Sequence, residues 1–298
     1  MCGIIGIINP TGQHIPGIGK LIPDMLAVGS IRGQHASGIM KIENGKCSWI
    51  KDAVSGWKFI QRKDFDKFMV GIGHVPFVVG HNRWATRGEI TIKNAHPFEC
   101  AHICLVHNGT VAQVSELYDK SLDVDSHMIA KNIAEKGIES TKNNLWGAFS
   151  LVWYDSNRKT LNFLRNQERP MWFIHTKQKA ILFCSEPQMG VWCAERHGFT
   201  IEKTEELPVN TLYSYNGTNI PVIETMERVY KMPPHQYSTQ DAKIVSMVDR
   251  AKLRELAKAH HVGTEFRFSL HDFDDTDTKG KFVQLFGEAP DNILIMCW

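Results

Sequence analysis

The chain opens Met1-Cys2-Gly3-Ile4-Ile5-Gly6, and the cysteine at position 2 governs how everything after it is read. A small second residue is the setting in which an initiator methionine is removed. Removal would leave Cys2 carrying both a thiol and the free α-amine of the chain. A thiol titrates near ~8.5 and an α-amine near ~7.7–8.0, so an uncharged amine is available at neutral pH to take the thiol proton. Nucleophile and base would then sit on one residue. The plain alternative is a small apolar side chain at the start of a buried strand, since cysteine is among the most buried residue types.

Composition narrows the class of protein. At 298 residues the chain exceeds a typical single domain, yet it fits one large α+β unit with an appendage. The balance of 34 Lys+Arg against 32 Asp+Glu, with no run of five like charges, gives no footprint for nucleic acid or an anionic membrane. Small molecules or proteins are the expected partners. The N-terminus has no basic n-region and its apolar run is too short for a signal sequence or a membrane span, so a cytoplasmic protein with reduced thiols is expected. Among the other cysteines, Cys47, Cys100, Cys104, Cys184, Cys193 and Cys297, there is no CxxC pair. Read as a strand, "HPFECAHIC" (96–104) lines up Cys100, His102 and Cys104 on one face. Period-two spacing splays such side chains and no second ligand pair follows, so no metal site is expected.

Short apolar runs bounded by Gly, Asn and Pro recur from "GIIGIIN" through "ASGIMKIENG", "MVGIGHVPFVVGHN", "HICLVHNG", "GAFSLVWYDSN", "KTLNFLRN", "MWFIHT" and "AILFCSE" to "LYSYNGTNIPVIE". They read as strands, many joined as hairpins by Asn-Gly and similar turns. Helical spacing marks "IGKLIPDMLAVGSI" and "DSHMIAKNIAEKG", the second opening on Asp125-Ser126 as cap candidates and stopping at Gly137. The character changes near residue 225, in "MERVYKMPPHQYS". Beyond it, "STQDAKIVSMVDRAKLRELAKAH" reads as an amphipathic helix and "TEFRFSL", "KFVQLF" and "NILIMCW" as short apolar strands, giving domains 2–224 and 225–298.

Five further clusters match what chemistry on a glutamine side chain requires: "SIRGQHASGI" (30–39), "HNRWATRGE" (81–89), "NAHP" (94–97), "VHNG" (106–109) and "DVDSH" (123–127). A zwitterionic amino acid needs one fixed cation and one fixed anion, and a guanidinium grips a carboxylate at two points, so Arg83 and Asp125 are the candidate anchors. A tetrahedral intermediate needs two donors aimed where charge develops, and an amide side chain followed by glycine, Asn108-Gly109, is a sensible pair. Each residue has a blander role open to it: a hairpin turn for Asn108-Gly109, a helix cap for Asp125, an ion pair for Arg32, core packing for Trp84.

In this order, directly after the initiator Met, the motifs resemble the class II glutamine amidotransferase domain, an N-terminal-nucleophile hydrolase, over residues 2–224. "HNRWATRG" and "NAHP" look like the glucosamine-6-phosphate synthase branch; "RGQHASGI", "NQERPMWF" and "CSEPQ" look more like the branch that makes phosphoribosylamine. The resemblance implies a four-layer α/β/β/α sandwich with two stacked antiparallel sheets, and a small α+β extension would follow it. It implies Cys2 as nucleophile, Asn108 and the Gly109 N–H as oxyanion hole, and Arg32 as support around the nucleophile. L-Glutamine would be held by Arg83 and Asp125 under a loop carrying Trp84 and Thr86. The sequence departs from the family at Ser126 and His127, where Thr and an acidic residue are usual, and at Arg87, where the synthases carry His.

The implied activity is hydrolysis of the glutamine amide through a γ-glutamyl thioester, with no cofactor. No synthase domain is recognisable after residue 225, and the acidic "HDFDDTDTKGK" (271–281) reads as a solvated turn. The ammonia then goes to a separate acceptor enzyme, or the protein is a free glutaminase. Two alternatives stay open: an amide hydrolase of the same fold with another substrate, and a non-catalytic binding protein that kept the fold.

Overall fold

The run Gly3–Ile8 forms β1, buried at every position. It is apolar on both faces because β1 lies in the middle of a sheet with layers above and below it. The computed structural model describes residues 2–112, 117–217 and 221–226, and the backbone of 266–268 and 293–295. The chain divides into two compact units, Met1–Met232 and Pro233–Trp298.

In the first unit β1 is followed by α1 (Ile18–Gly29), β2 (Ala36–Glu43), β3 (Lys46–Asp52), α2 (Gly56–Phe59), α3 (Lys63–Met69) and β4 (Phe77–Arg83). Then come β5 (Phe98–Cys100), β6 (Ile103–Val111), α4 (Asp125–Thr141), β7 (Gly147–Asp155) and β8 (Thr160–Arg165). The unit ends with β9 (Trp172–Thr176), β10 (Ile181–Cys184), α5 (Pro187–Arg196), β11 (Ile201–Glu206), β12 (Thr211–Tyr215) and β13 (Val222–Thr225). A seven-stranded sheet runs β11-β9-β10-β1-β4-β2-β3 and a six-stranded one β13-β12-β8-β7-β6-β5. Every pairing in both is antiparallel.

Alternation along the strands builds two cores. Inward positions such as Ile4, Met40 and Val79 of the first sheet meet Val106, Val152 and Phe163 of the second. The opposite face of the second sheet, with Leu105, Leu151 and Trp153, packs under Met128, Ile129 and Ile133 of α4. Helices α1 and α5 contact β1, β4, β9 and β10 of the first sheet. The α+β sandwich of two stacked antiparallel sheets is therefore the architecture the resemblance implies.

Local chemistry explains most boundaries. The β2–β3 hairpin turns on Asn44 and Gly45, both at positive φ, as a two-residue Asn-Gly turn requires. In α4 the helix breaks at Gly137, φ 76°, where its end is expected, and a second short helical piece carries on to Thr141. Three expectations need correction. "MVGIGHVPFVVGHN" is a strand only from Phe77, because Gly71 at positive φ and Pro76 interrupt it. "HPFECAHIC" is a tight hairpin rather than one strand: Ala101 takes positive φ between β5 and β6, so Cys100, His102 and Cys104 never share a face. Strands β3 and β11 and helices α2, α3 and α5 carry weak apolar periodicity and have no counterpart in the sequence reading. Among the described residues no group of three or more His, Cys, Asp or Glu could hold a metal ion.

In the second unit, β14 (Phe266–Phe268) pairs antiparallel with β15 (Ile293–Ile295), Arg267 facing Leu294, where two of the apolar runs were read as strands. The amphipathic helix of 238–260, "KFVQLF" and the acidic turn of 271–281 lie outside the described residues.

Phe163 is the centre of the inter-sheet core, edge-on to Phe173, Phe183 and Tyr215 at centroid distances of 5.1, 4.9 and 5.9 Å. Phe163→Ala is expected to lower stability by ~3–5 kcal/mol through the cavity it leaves. Urea denaturation followed by tryptophan fluorescence measures it, and a loss below about 1 kcal/mol would remove Phe163 from that role.

Candidate active site

Antiparallel register brings the start of β1 beside the end of β4, with Gly3 opposite Asn82. Cys2, one residue before β1, therefore meets Trp84, one residue past β4. The Trp84 N–H donates to Cys2 Sγ at 3.2 Å, and Sγ lies 3.4 Å from the Trp84 carbonyl oxygen. On the other flank, β10 ends where Ser185 N–H donates to Ile4 O at 3.0 Å and Ser185 Oγ accepts from Ile4 N–H at 3.0 Å.

The backbone of Cys2 is clamped from behind. Arg32 Nε donates to Cys2 O at 3.1 Å, and Asn108 Nδ2 donates to the same carbonyl at 3.2 Å and to Ser185 Oγ at 2.6 Å. Arg32 is itself ion-paired with Glu186, and both side chains are nearly enclosed. Neither Arg32 nor Asn108 is on the cavity wall. Both act on the residue that carries the thiol.

In front of Cys2 a small cavity is lined by Arg83, Trp84, Thr86, Gly109 and Asp125, joined by Arg87, His96, His107, Val124 and Ser126. Asp125, at the first turn of α4, accepts from Val111 N–H at 2.8 Å and from Ser126 N–H at 2.9 Å, one on each oxygen. Each oxygen keeps acceptor capacity for a ligand ammonium. Arg83 spans cavity and loop: one terminal nitrogen donates to Glu89 O at 3.1 Å and the other to the carbonyls of Arg87 and Gly88. His35 Nδ1 accepts from Ala85 N–H at 2.8 Å while its ring packs on Trp84, and Thr86 Oγ1 reaches Thr110 Oγ1 at 3.2 Å. Gly109 sits at φ 145°, and a Cβ there would lie 1.9 Å from Ala148 O, so only glycine lets β6 and β7 close at this point.

Charge in the cavity is sparse. Burial pushes the Cys2 thiol up, the Trp84 N–H and Arg83 draw it down, and Asp125 raises it. Burial likewise lowers His107, lowers His96 well below the ordinary histidine value, and takes His81 beside them to about 3. These imidazoles are neutral at physiological pH. The fixed charges are Arg83 and Asp125, with the exposed Arg87 at the rim.

All eight candidate residues thus gather around Cys2, six on the cavity and two behind it. Of the departures, Arg87 and Ser126 line the cavity, the Arg87 carbonyl accepting from Arg83, while His127 stacks on Phe98 without reaching the wall. Ser185, Glu186, His96 and His107 were not singled out, and Ser126, which also lines the cavity, was read only as a helix cap and a departure from the family. The signal was present, since they sit inside or beside the quoted "DVDSH", "CSEPQ", "NAHP" and "VHNG".

Residues 81–189 match the glutamine amidotransferase domain family. This stretch is similar to a glutamine amidotransferase domain. A glutamine–fructose-6-phosphate aminotransferase of Campylobacter jejuni is 33% identical over 120 residues, 40% of this chain and 19% of that protein. The corresponding protein of Streptococcus pyogenes is 26% identical over 194 residues, 57% of this chain and 30% of that one. The amidotransferase region therefore spans a third or less of these relatives. In fold, the chain is similar to the glutamine phosphoribosylpyrophosphate amidotransferase of B. subtilis, with TM-score 0.56 and 18% identity over 75% of this chain and 49% of that one. A solved allosteric regulatory enzyme of purine biosynthesis gives TM-score 0.59 at 19% identity with the same coverage.

The ion pair behind Cys2 gives a pH test. Burial raises the Glu186 carboxyl and Arg32 draws it back down. Arg32→Met strands this carboxylate, at an expected cost of ~3–5 kcal/mol. A raised carboxyl favours the folded state while protonated, so the variant regains stability as pH falls and loses it as pH rises through the folded pKa of Glu186. Melting temperatures at pH 5 and pH 8 should show the larger deficit at pH 8; equal deficits would mean Glu186 is not the stranded group.

Proposed function

We propose that this domain hydrolyses the side-chain amide of L-glutamine at Cys2, releasing glutamate and ammonia. The observation that carries the reading is one small cavity in which a thiol faces a buried cation, Arg83, and a buried anion, Asp125. Those charges fit the α-carboxylate and α-ammonium of a free amino acid and set its side chain toward the sulfur.

In this scheme Met1 is removed and the α-amine of Cys2 accepts the thiol proton. A base is needed because burial holds the thiol above its ordinary value. The thiolate attacks the amide carbon, and the tetrahedral oxyanion takes donors from Gly109 N–H and the Asn108 amide. Without a ligand the Asn108 NH2 is engaged by Cys2 O and Ser185 Oγ, so its oxyanion role requires it to re-aim or share a proton. The proton returns to the leaving nitrogen, ammonia departs, and water hydrolyses the γ-glutamyl thioester. None of these steps calls on a metal or cofactor.

Residues 2–224 are assigned to the glutaminase and 225–298 to an extension, and the ammonia passes to a separate acceptor enzyme or subunit. The fructose-6-phosphate aminotransferases carry a much longer chain than the region they share with this one. Cytoplasmic placement belongs to the same proposal; among the described residues no helix is long and apolar enough to cross a membrane.

Intact mass before and after a glutamine-analogue diazo-ketone, with peptide mapping, tests the scheme. Loss of Met1 and a single adduct on Cys2 are expected; a retained Met1, or no adduct on folded protein, would overturn it. Asn108→Ala should lower kcat on the order of 100- to 1000-fold in a coupled glutamate assay. Unchanged kcat would remove Asn108 from the oxyanion hole.

A further inference from the structure

His35 grips the strand end that carries Arg83 and Trp84, and the scheme above gives it no task. It stands one residue before β2, and because Ala36 lies opposite Arg83, the register sets it beside Trp84. Its backbone N–H donates to Arg83 O at 3.0 Å, and its ring Nδ1 accepts from Ala85 N–H at 2.8 Å. The ring also packs on the Trp84 indole, with 4.5 Å between centroids and 30° between planes. Two residues earlier, a Cβ at Gly33 would lie 2.5 Å from Asn82 O, so this segment is seated directly on the end of β4. Contacts from one residue thus hold positions 83 to 85. The middle position, Trp84, supplies the backbone N–H that donates to Cys2 Sγ at 3.2 Å.

The grip depends on a lone pair. A neutral imidazole has one N–H and one acceptor nitrogen, and Nδ1 accepts from Ala85, so the ring proton is on Nε2. A second proton can enter only at Nδ1, where it would set N–H against N–H. The charged groups that face the ring oppose the same proton: Arg83 of β4 and the α-amino group at the start of the chain, with the Cys2 thiol held on the Trp84 N–H. Burial, Arg83 and the α-amine together hold His35 below the ordinary histidine value. Unlike the enclosed imidazoles of the cavity, this ring is half-exposed, so a proton reaches it as the solution is acidified.

We propose that His35 is a positioning residue for Cys2 and a proton-operated release: the neutral ring holds residues 83 to 85, and with them the Trp84 N–H on the sulfur, and the protonated ring lets go of Ala85. Its activity readout rests on the glutamine reading above; the link between ring and backbone does not.

Glutamine hydrolysis by the full chain is followed from pH 5 to pH 8 in wild type, His35→Asn and His35→Phe. Asparagine keeps an acceptor near the Nδ1 position and does not titrate, whereas phenylalanine keeps a ring on Trp84 and loses the acceptor. At pH 8, His35→Asn should hold kcat/KM within about threefold of wild type, and His35→Phe should lose about tenfold, the scale of one hydrogen bond removed. The ratio of wild-type to His35→Asn kcat/KM should then fall about tenfold on acidification, through one proton with a midpoint below the ordinary ~6.5. Taking the ratio cancels the titration of the Cys2 amine, which both proteins share. A ratio flat in pH, or His35→Phe as active as wild type at pH 8, would overturn the assignment. A second measurement needs no variant: in 15N-labelled wild type, the Ala85 and Trp84 backbone amide resonances should move with the midpoint of the His35 ring nitrogens. Amides indifferent to that titration would also overturn it. A wild type that leaves glutamine intact while those amides follow His35 would overturn the glutamine reading and leave this assignment standing.

Discussion

The arrangement depends on the register between β1 and β4. Placing Gly3 opposite Asn82 sets Cys2 against the first residues past Arg83, so a backbone N–H reaches the sulfur and a guanidinium opens beside it. Because side chains alternate with period two, a slip of one residue would send Ile4 and Val79 out of the inter-sheet core and turn Arg83 away from the cavity. The hydrophobic pattern of two central strands therefore fixes the geometry of a polar site. No separate energy is needed to bring the Cys2 thiol and the Arg83 guanidinium together.

The site then combines rigid and adjustable parts. Behind Cys2, donors from Arg32 and Asn108 converge on a single carbonyl, and the Arg32–Glu186 pair is enclosed with them. Enclosed charges of this sort add little net stability, but removing one partner is costly, so the clamp works by specifying position. In front, Arg83 holds the 87–89 carbonyls with some of the same nitrogens that would meet a carboxylate. A guanidinium has five donors, enough to serve both the loop and a ligand.

How much of this was legible in the sequence follows physical lines. Strands buried on both faces, such as Gly3–Ile8, announce themselves as apolar runs, and turns that need positive φ announce themselves as Asn-Gly or Gly. Cys2, Arg83, Gly109 and Asp125 were legible because their chemistry is specific to residue type. Ser185 and Glu186 were not: a serine that accepts from Ile4 N–H and receives the Asn108 amide looks like any serine until the fold brings residues 4, 108 and 185 together. The "HPFECAHIC" error has the same source, since a left-handed Ala101 has no propensity signal.

The electrostatic economy of the cavity follows from the same folding choices. Three histidines crowd beside Arg83, and as cations they would repel both the guanidinium and an incoming ammonium. Burial between the two sheets prevents this by keeping the imidazoles uncharged, so Arg83 and Asp125 are left as opposite charges with few competitors. In a low-dielectric cavity two such charges discriminate strongly between a zwitterion and a molecule carrying only one of its groups, because the mismatched ligand would strand a buried charge. With the histidines neutral, the proposed recognition of a free amino acid needs only a single arginine and a single aspartate.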